Sequence, residues 1–180
     1  TAEGEPLAGL NDDPLNYFGG NRASHSCGRL QDVRISRAGE SLSSLWIAAC
    51  GWGTAFDNVV VEASRNDGIV VVGGGLFMKR PVVAGARNNG LITDWGFNGH
   101  IYKPSMLLIE ERAYEMLFSN VLMCRPFAGD ARVPMHVDSG SVRIANGNID
   151  PDRIEVTGGG EFTLVDWCVD NFGYYMRDDD

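Results

Sequence analysis

Short runs of β-forming residues alternate with turn-forming residues along most of the chain. The clearest example is the run Ile69–Val72, which is followed at once by three glycines at 73–75. β-branched residues favour strands, whereas glycine, asparagine and aspartate favour turns. The pattern therefore predicts an all-β chain of many short strands joined by tight turns.

The strand pattern repeats along the chain. Residues 60–69 align with residues 82–91 at a shift of 22, with Val, Val, Arg, Asn and Gly identical, and residues 30–35 align with residues 56–61 at a shift of 26. A period near 22 is too short for a propeller blade, and the leucine-rich consensus is absent. The repeat predicts a single parallel β-helix of six to seven coils, with about 22 residues per coil.

Stacking of coils makes specific neighbours of residues one repeat apart. Strands of successive coils lie about 4.8 Å apart. We expect Val61 to lie over Val83 inside the coil. We also expect Ile69 to lie over Leu91, and Gly74 over Gly96. Gly68 over Gly90 suits a corner at which φ is positive.

Polar residues stack in the same register. Asn66 over Asn88 predicts an amide ladder. Arg65 over Arg87 is a like-charge pair, which Glu62 could relieve if the side chains lean together.

The coil length indicates which of the four cysteines can be close enough to form disulfides. Cys27 and Cys50 are about one coil apart, so we predict a disulfide between them. Cys124 and Cys168 are about two coils apart, roughly 9.6 Å if stacked regularly, which leaves their pairing open. Four buried thiols are the alternative to disulfides, and disulfides would indicate an oxidising compartment.

Four segments, residues 13–20, 27–39, 56–69 and 94–99, resemble the repeats of secreted bacterial proteins with right-handed parallel β-helices. The resemblance implies that fold, a secreted or cell-surface location and no assigned catalysis. Relatives often carry acidic residues where this chain has Asn88, Asn89 and Thr93, so the resemblance does not extend to an acidic, metal-binding edge.

Three segments interrupt the strand pattern. Residues 1–26 predict an extended cap across the first coil, and residues 27–180 form the β-helix with irregular C-terminal coils. Residues 110–117 have strong helix formers and predict either a short inserted helix or a loop. Residues 125–137, which contain two prolines, predict a longer excursion.

Composition and charge exclude some classes of function and partner. The chain has 23 glycines, 15 Lys+Arg and 24 Asp+Glu, for a net charge of −9. This charge disfavours nucleic acid as a partner. No apolar run is long enough for a membrane span. The first residue is Thr1 in place of Met, which favours a mature product whose leader was removed.

Several polar residues are candidates for chemistry. Asp67 and Asp94 fall near one edge of the coils, and Arg65 and Arg87 could line a groove with Asp67. Paired carboxylates would suit glycoside hydrolysis. The coil partner of Asp67 is Asn89, however, so a role as a turn former is favoured over catalysis.

Two aromatic residues are candidates for binding. Trp95 and Phe97 follow Asp94 on a turn among small residues, so they could be exposed and stack on sugars or anchor partners. Packing against a loop is the alternative, and it is favoured. The scattered histidines disfavour a zinc site, and we expect no cofactor. Ca²⁺ at Asp12, Asp13 or the acidic tail would need convergent oxygen ligands, and adjacent acids in a tail are more often merely solvated.

The sequence favours a non-enzymatic extracellular structural or surface protein, an adhesive, matrix or filament subunit. Its partners would be other proteins or further copies of itself, held through coil ends or faces. The alternative is a carbohydrate-active enzyme or a polysaccharide-binding module.

Overall fold

The computed structural model describes residues 26–166 and Cys168. They form a parallel β-solenoid of about six turns with about 22 residues per turn, as the repeat predicts. The only helix in these residues is a single 3₁₀ turn at Pro151–Arg153. The strands are β1 (Arg29–Ser36), β2 (Leu45–Ala48), β3 (Ala55–Ser64), β4 (Ile69–Val72), β5 (Phe77–Lys79), β6 (Val82–Ala86), β7 (Leu91–Asp94), β8 (Asn98–Tyr102), β9 (Ser105–Leu117), β10 (Asn120–Cys124), β11 (Phe127–Ala128), β12 (Ala131–Asp138), β13 (Ser141–Ala145), β14 (Ile154–Thr157) and β15 (Glu161–Val165).

The strands stack into three parallel faces. Face A contains the first halves of β1 and β3, followed by β5, β8, β10, β13 and β15. Face B contains the second halves of β1 and β3, then β6, the first part of β9, and β11. Face C contains β2, β4, β7, the later parts of β9 and β12, and β14. Each of the first five coils therefore contributes one strand segment to each face.

The core is built from columns of side chains at equivalent positions in successive coils. Val61 pairs with Val83, and Ile69 pairs with Leu91, which confirms the predicted apolar columns. All four side chains are fully buried. The fully buried Tyr114 donates its hydroxyl to the carbonyls of Pro104 and Phe127, and burial raises its pKa well above the ordinary value.

Every coil bends at residues with left-handed backbone. The described residues include fourteen non-glycine residues with positive φ, and all of them fall into three stacked columns. The first column lies between faces A and B and consists of Asp32, Asn58, Arg80, Lys103, Arg125 and Asn146. The second lies near the end of face B and, with one glycine, consists of Arg37, Ala63, Gly85, Leu108 and Asp130. The third lies between faces C and A and, with two glycines, consists of Ala49, Gly73, Trp95, Phe118, Ser139 and Gly158. A left-handed non-glycine residue costs roughly 1–2 kcal/mol, and paired strands on both sides hold it in place.

The glycines of the repeat have two different roles. Gly74 and Gly96 both have positive φ, at +74° and +75°. Gly68 and Gly90 do not, so the prediction of a left-handed corner there is wrong. A Cβ on Gly68 would lie 2.6 Å from the carbonyl oxygen of Gly90 and 2.6 Å from Val83, so lack of space explains this glycine.

Two predicted interruptions of the solenoid are absent. Residues 110–117 form neither a helix nor a loop, because they belong to β9, which pairs with β7 on one side and β12 on the other. Residues 125–137 are not an excursion, since most of them form β11 and β12 with one register shift between Ala131 and Val133. The predicted N-terminal cap, residues 1–26, lies outside the described residues except for Ser26.

Both cysteine pairs form disulfides. The Cα atoms of Cys27 and Cys50 are 5.5 Å apart, which confirms the predicted bond. Those of Cys124 and Cys168 are 5.7 Å apart. In register, Cys124 lies two coils from Val165, so the chain must leave the coil path after β15 to bring Cys168 back. Cys168 packs there in a small cluster with Leu122, Cys124 and Ala145, separate from the main core.

We predict that Gly68→Ala destabilises the fold by about 2–3 kcal/mol, because the new methyl group meets the backbone of the next coil. The matched control is Gly85→Ala, whose added Cβ has no atom closer than 3.7 Å. It should cost about 1 kcal/mol, from its positive φ alone. Urea unfolding of both variants measures the difference. Equal losses would contradict the steric explanation.

We also predict that the two bonds can be found in the purified protein. Peptide mapping without reduction should recover Cys27 linked to Cys50 and Cys124 linked to Cys168. Recovery of Cys124 and Cys168 as free thiols would show that the chain after β15 does not return to face A, and free Cys27 and Cys50 would contradict the bond between the first two coils.

Candidate functional site

A groove runs along the solenoid at the end of face B. It forms where the left-handed column has small side chains, at Ala63 and Gly85, and Ala86 completes its floor. Leu108 lines it in the fourth coil. The groove has a volume of about 350 Å³ and is open to the surface. Its long direction follows the solenoid axis because its lining residues come from successive coils.

Three arginines line this groove, one from each of the first three coils: Arg37, Arg65 and Arg87. The Arg65 guanidinium lies 3.1 Å from the Glu40 carboxylate. In the part of the chain that the structure describes, the side chains of Arg37 and Arg87 make no hydrogen bond or ion pair. The groove is therefore locally positive on a chain with a net charge of −9.

The predicted relief of Arg65 by Glu62 does not occur. Glu62 forms an ion pair with Arg34 at 3.1 Å and accepts a hydrogen bond from Ser36. Glu40 takes its place beside Arg65, from the loop after β1. Sequence reasoning identified Arg65 and Arg87 but missed Arg37, although extending the 26-residue alignment by two positions pairs Arg37 with Ala63.

Asp67 does not line the groove. One of its carboxylate oxygens accepts hydrogen bonds from the Asn88 side chain at 2.8 Å and from the backbone and side chain of Asn89 at 3.1 Å each. The Asn88 side chain thus bonds to Asp67 and not to Asn66, whose carbonyl accepts only the Asn88 backbone N–H at 3.4 Å. Asp67 joins the second coil to the third.

The polar chain continues into the next coils. Asn89 also donates to Glu115 at 3.0 Å, and Glu115 accepts from Arg112 at 2.7 Å. His136 lies 3.6 Å from Glu115 and contacts Thr157 through its other ring nitrogen at 2.9 Å. Since Asn89, Glu115 and His136 are all buried, these bonds hold coils together. The 22-residue repeat does not reveal them, because Asn89 and Glu115 are 26 residues apart.

The other predicted site residues lie at the edge between faces C and A. Asp94 accepts the Trp95 backbone N–H at 2.6 Å. Burial raises the pKa of Asp94, the Trp95 hydrogen bond lowers it in part, and the Glu115 carboxylate adds to the rise. Trp95 is 48% exposed and neighbours Phe118, 60% exposed, in the same left-handed column.

Phe97 differs from its prediction. The sequence left its ring either exposed for binding or packed against a loop, and the side chain is in fact fully buried in the main core. Its ring occupies the position that a Cβ on Gly99 would take, so the absence of a side chain at Gly99 admits it to the core. Phe97 therefore cannot contact a ligand.

A second set of cations lies between faces A and B, but it is partly neutralised. Asp57 accepts two hydrogen bonds from Arg80, at 2.8 and 2.9 Å, and lies 3.5 Å from Lys79. Burial of Asp57 opposes ionisation, yet these two cations outweigh it and lower its pKa. Lys103 lies over the ring of Tyr102.

Within residues 26–166 and Cys168, no three His, Cys, Asp or Glu side chains converge as metal ligands. The same residues contain no helix long and apolar enough to cross a bilayer. No family model, curated protein or solved structure matches the chain significantly.

We predict that Asp67→Ala destabilises the solenoid by about 2 kcal/mol, because three donors on Asn88 and Asn89 lose their acceptor. Asp67→Asn, which retains a carbonyl oxygen, should cost less. Thermal unfolding of the two variants measures the difference. If Asp67→Ala were as stable as the unaltered protein, Asp67 would not be the residue that joins these coils.

Proposed function

We propose that the protein is a non-enzymatic extracellular structural or surface protein, serving as an adhesive, matrix or filament subunit. The observation that carries the proposal is that the buried polar side chains hydrogen-bond to one another between coils. Asp67 was a candidate for catalysis, but its hydrogen bonds, with those of the buried Asn89 and Glu115, connect one coil to the next. A solenoid stabilised in this way presents long, rigid faces.

Two features support a location outside the cell. The described chain has two disulfides, and disulfides persist mainly in oxidising compartments. The repeats also resemble those of secreted bacterial β-helix proteins.

The favoured partners are other proteins or further copies of the chain. Trp95 and Phe118 are exposed aromatic side chains at the same corner of adjacent coils, and aromatic side chains are enriched in protein interfaces.

The alternative class is a carbohydrate-active enzyme or a polysaccharide-binding module. The arginine-lined groove favours the binding module over the enzyme. Glycoside hydrolysis needs two carboxylates about 5–9.5 Å apart, and Glu110 is the one carboxylate among the residues lining the groove. Asp67, the other candidate, is held by Asn88 and Asn89 outside it.

We predict that the purified protein releases neither reducing ends nor unsaturated products from a panel of neutral and acidic polysaccharides. It should instead form oligomers or filaments at high concentration, as measured by light scattering. The panel tests the absence of catalysis, and the scattering tests assembly.

Turnover that disappears in Asp67→Asn or Asp94→Asn would overturn the non-enzymatic proposal. A monodisperse monomer at all concentrations would overturn the self-assembly part and leave other proteins as the partners.

A further inference from the structure

The groove holds more positive charge than its surroundings neutralise. Arg65 and Arg87 have equivalent positions one coil apart, where backbones are separated by about 4.8 Å, and Arg37 lies in the preceding coil. Like charges on neighbouring strands are unfavourable. Glu40 offsets only Arg65, whereas the comparable Arg80 is fully engaged by Asp57. Among the residues that line the groove, three arginines therefore face one acid, Glu110, which follows Arg87 in the next coil.

We propose that this groove binds an acidic polysaccharide, with uronate carboxylates on Arg37, Arg65 and Arg87. The inference deepens the polysaccharide-binding alternative above and rests on it. A guanidinium presents a planar set of donors that matches a carboxylate in two parallel hydrogen bonds. An anionic polymer lying along the axis would meet one guanidinium per coil.

The groove floor matches the uncharged part of such a polymer. Ala63, Gly85 and Ala86 offer a surface of small groups, and Leu108 adds an apolar side chain at one end. Sugar rings present C–H faces that can pack on a surface of this kind. The open shape also suits a chain that enters and leaves, rather than an enclosed small molecule.

An acidic residue limits the part of the groove in which an anionic group can bind. Glu110 lines the groove in the fourth coil and would repel a carboxylate there, so the anionic contacts fall in the first three coils. Charges more than about 8 Å away are largely screened at physiological salt, so only the distant part of the net charge of −9 acts weakly on the groove. Three arginines are too few for the many phosphate contacts on which nucleic-acid binding depends.

The test measures binding of polygalacturonate and alginate by calorimetry at low and physiological salt, with dextran as the neutral comparison. We expect binding to both uronates, weakening with salt, and none to dextran. Arg37→Gln and Arg87→Gln should each weaken binding about tenfold. Arg87→Lys should fall between Arg87→Gln and the unaltered protein, because it keeps the charge but loses the paired hydrogen bonds.

The matched control is Arg143→Gln, which removes the same charge from face A, away from the groove, and should leave binding unchanged. Glu110→Gln should strengthen binding by removing the repelling carboxylate. Since the side chains of Arg37 and Arg87 make no hydrogen bond or ion pair in the described residues, their variants should unfold at about the same temperature as the unaltered protein.

The proposal is overturned if neither uronate binds, or if Arg143→Gln loses as much affinity as Arg87→Gln. It is also overturned if single-stranded DNA or polyglutamate binds as tightly as the uronates, since the groove would then attract any polyanion. These outcomes are independent of light scattering and of product release, so failure here leaves the structural function testable on its own.

Discussion

Parallel pairing between successive coils is the constraint on which the rest of the structure depends. It places each residue against the residue one turn away, about 4.8 Å along the axis. A backbone bend or a small side chain that one coil requires is therefore required at the equivalent position of the next coil. The three columns of left-handed residues follow from this, because a coil that bends elsewhere would lose its register with both neighbours. The register also explains why Gly68 faces Gly90, where two backbones approach too closely for a side chain.

The same register determines what polar side chains can do. Asp67 and Asn89 occupy one polar position in adjacent coils, and this proximity makes them partners before any ligand is considered. Arg65 and Arg87 have the same relation on the outside, where no stacked acid separates them. Stacked polar residues on the inner side of a corner thus hydrogen-bond to each other and stabilise the coils. Stacked charged residues on the outer side form a row of charges along the surface.

Much of this could be predicted from the sequence, since a repeat exposes the register directly. The shift of 22 residues gave the pairs Val61–Val83 and Ile69–Leu91, and the coil length gave the bond between Cys27 and Cys50. Where helix formers or prolines were used to predict interruptions of the solenoid, the predictions failed. The helix formers at 110–117 lie in a strand because two neighbouring strands pair with it, and tertiary pairing overrides propensity.

Other features had no local signal. Most of the left-handed positions are occupied by residues such as Ala63, Leu108 and Phe118, so glycine does not mark the corners. Phe97 is buried because of Gly99 two residues later, and the repeat does not encode that relation. The groove belongs to this group. It depends on small residues at 63 and 85 and on arginines in three coils, none of which is unusual alone. Net charge is equally uninformative, because a chain of −9 can still present three adjacent guanidinium groups once stacking brings them to one edge.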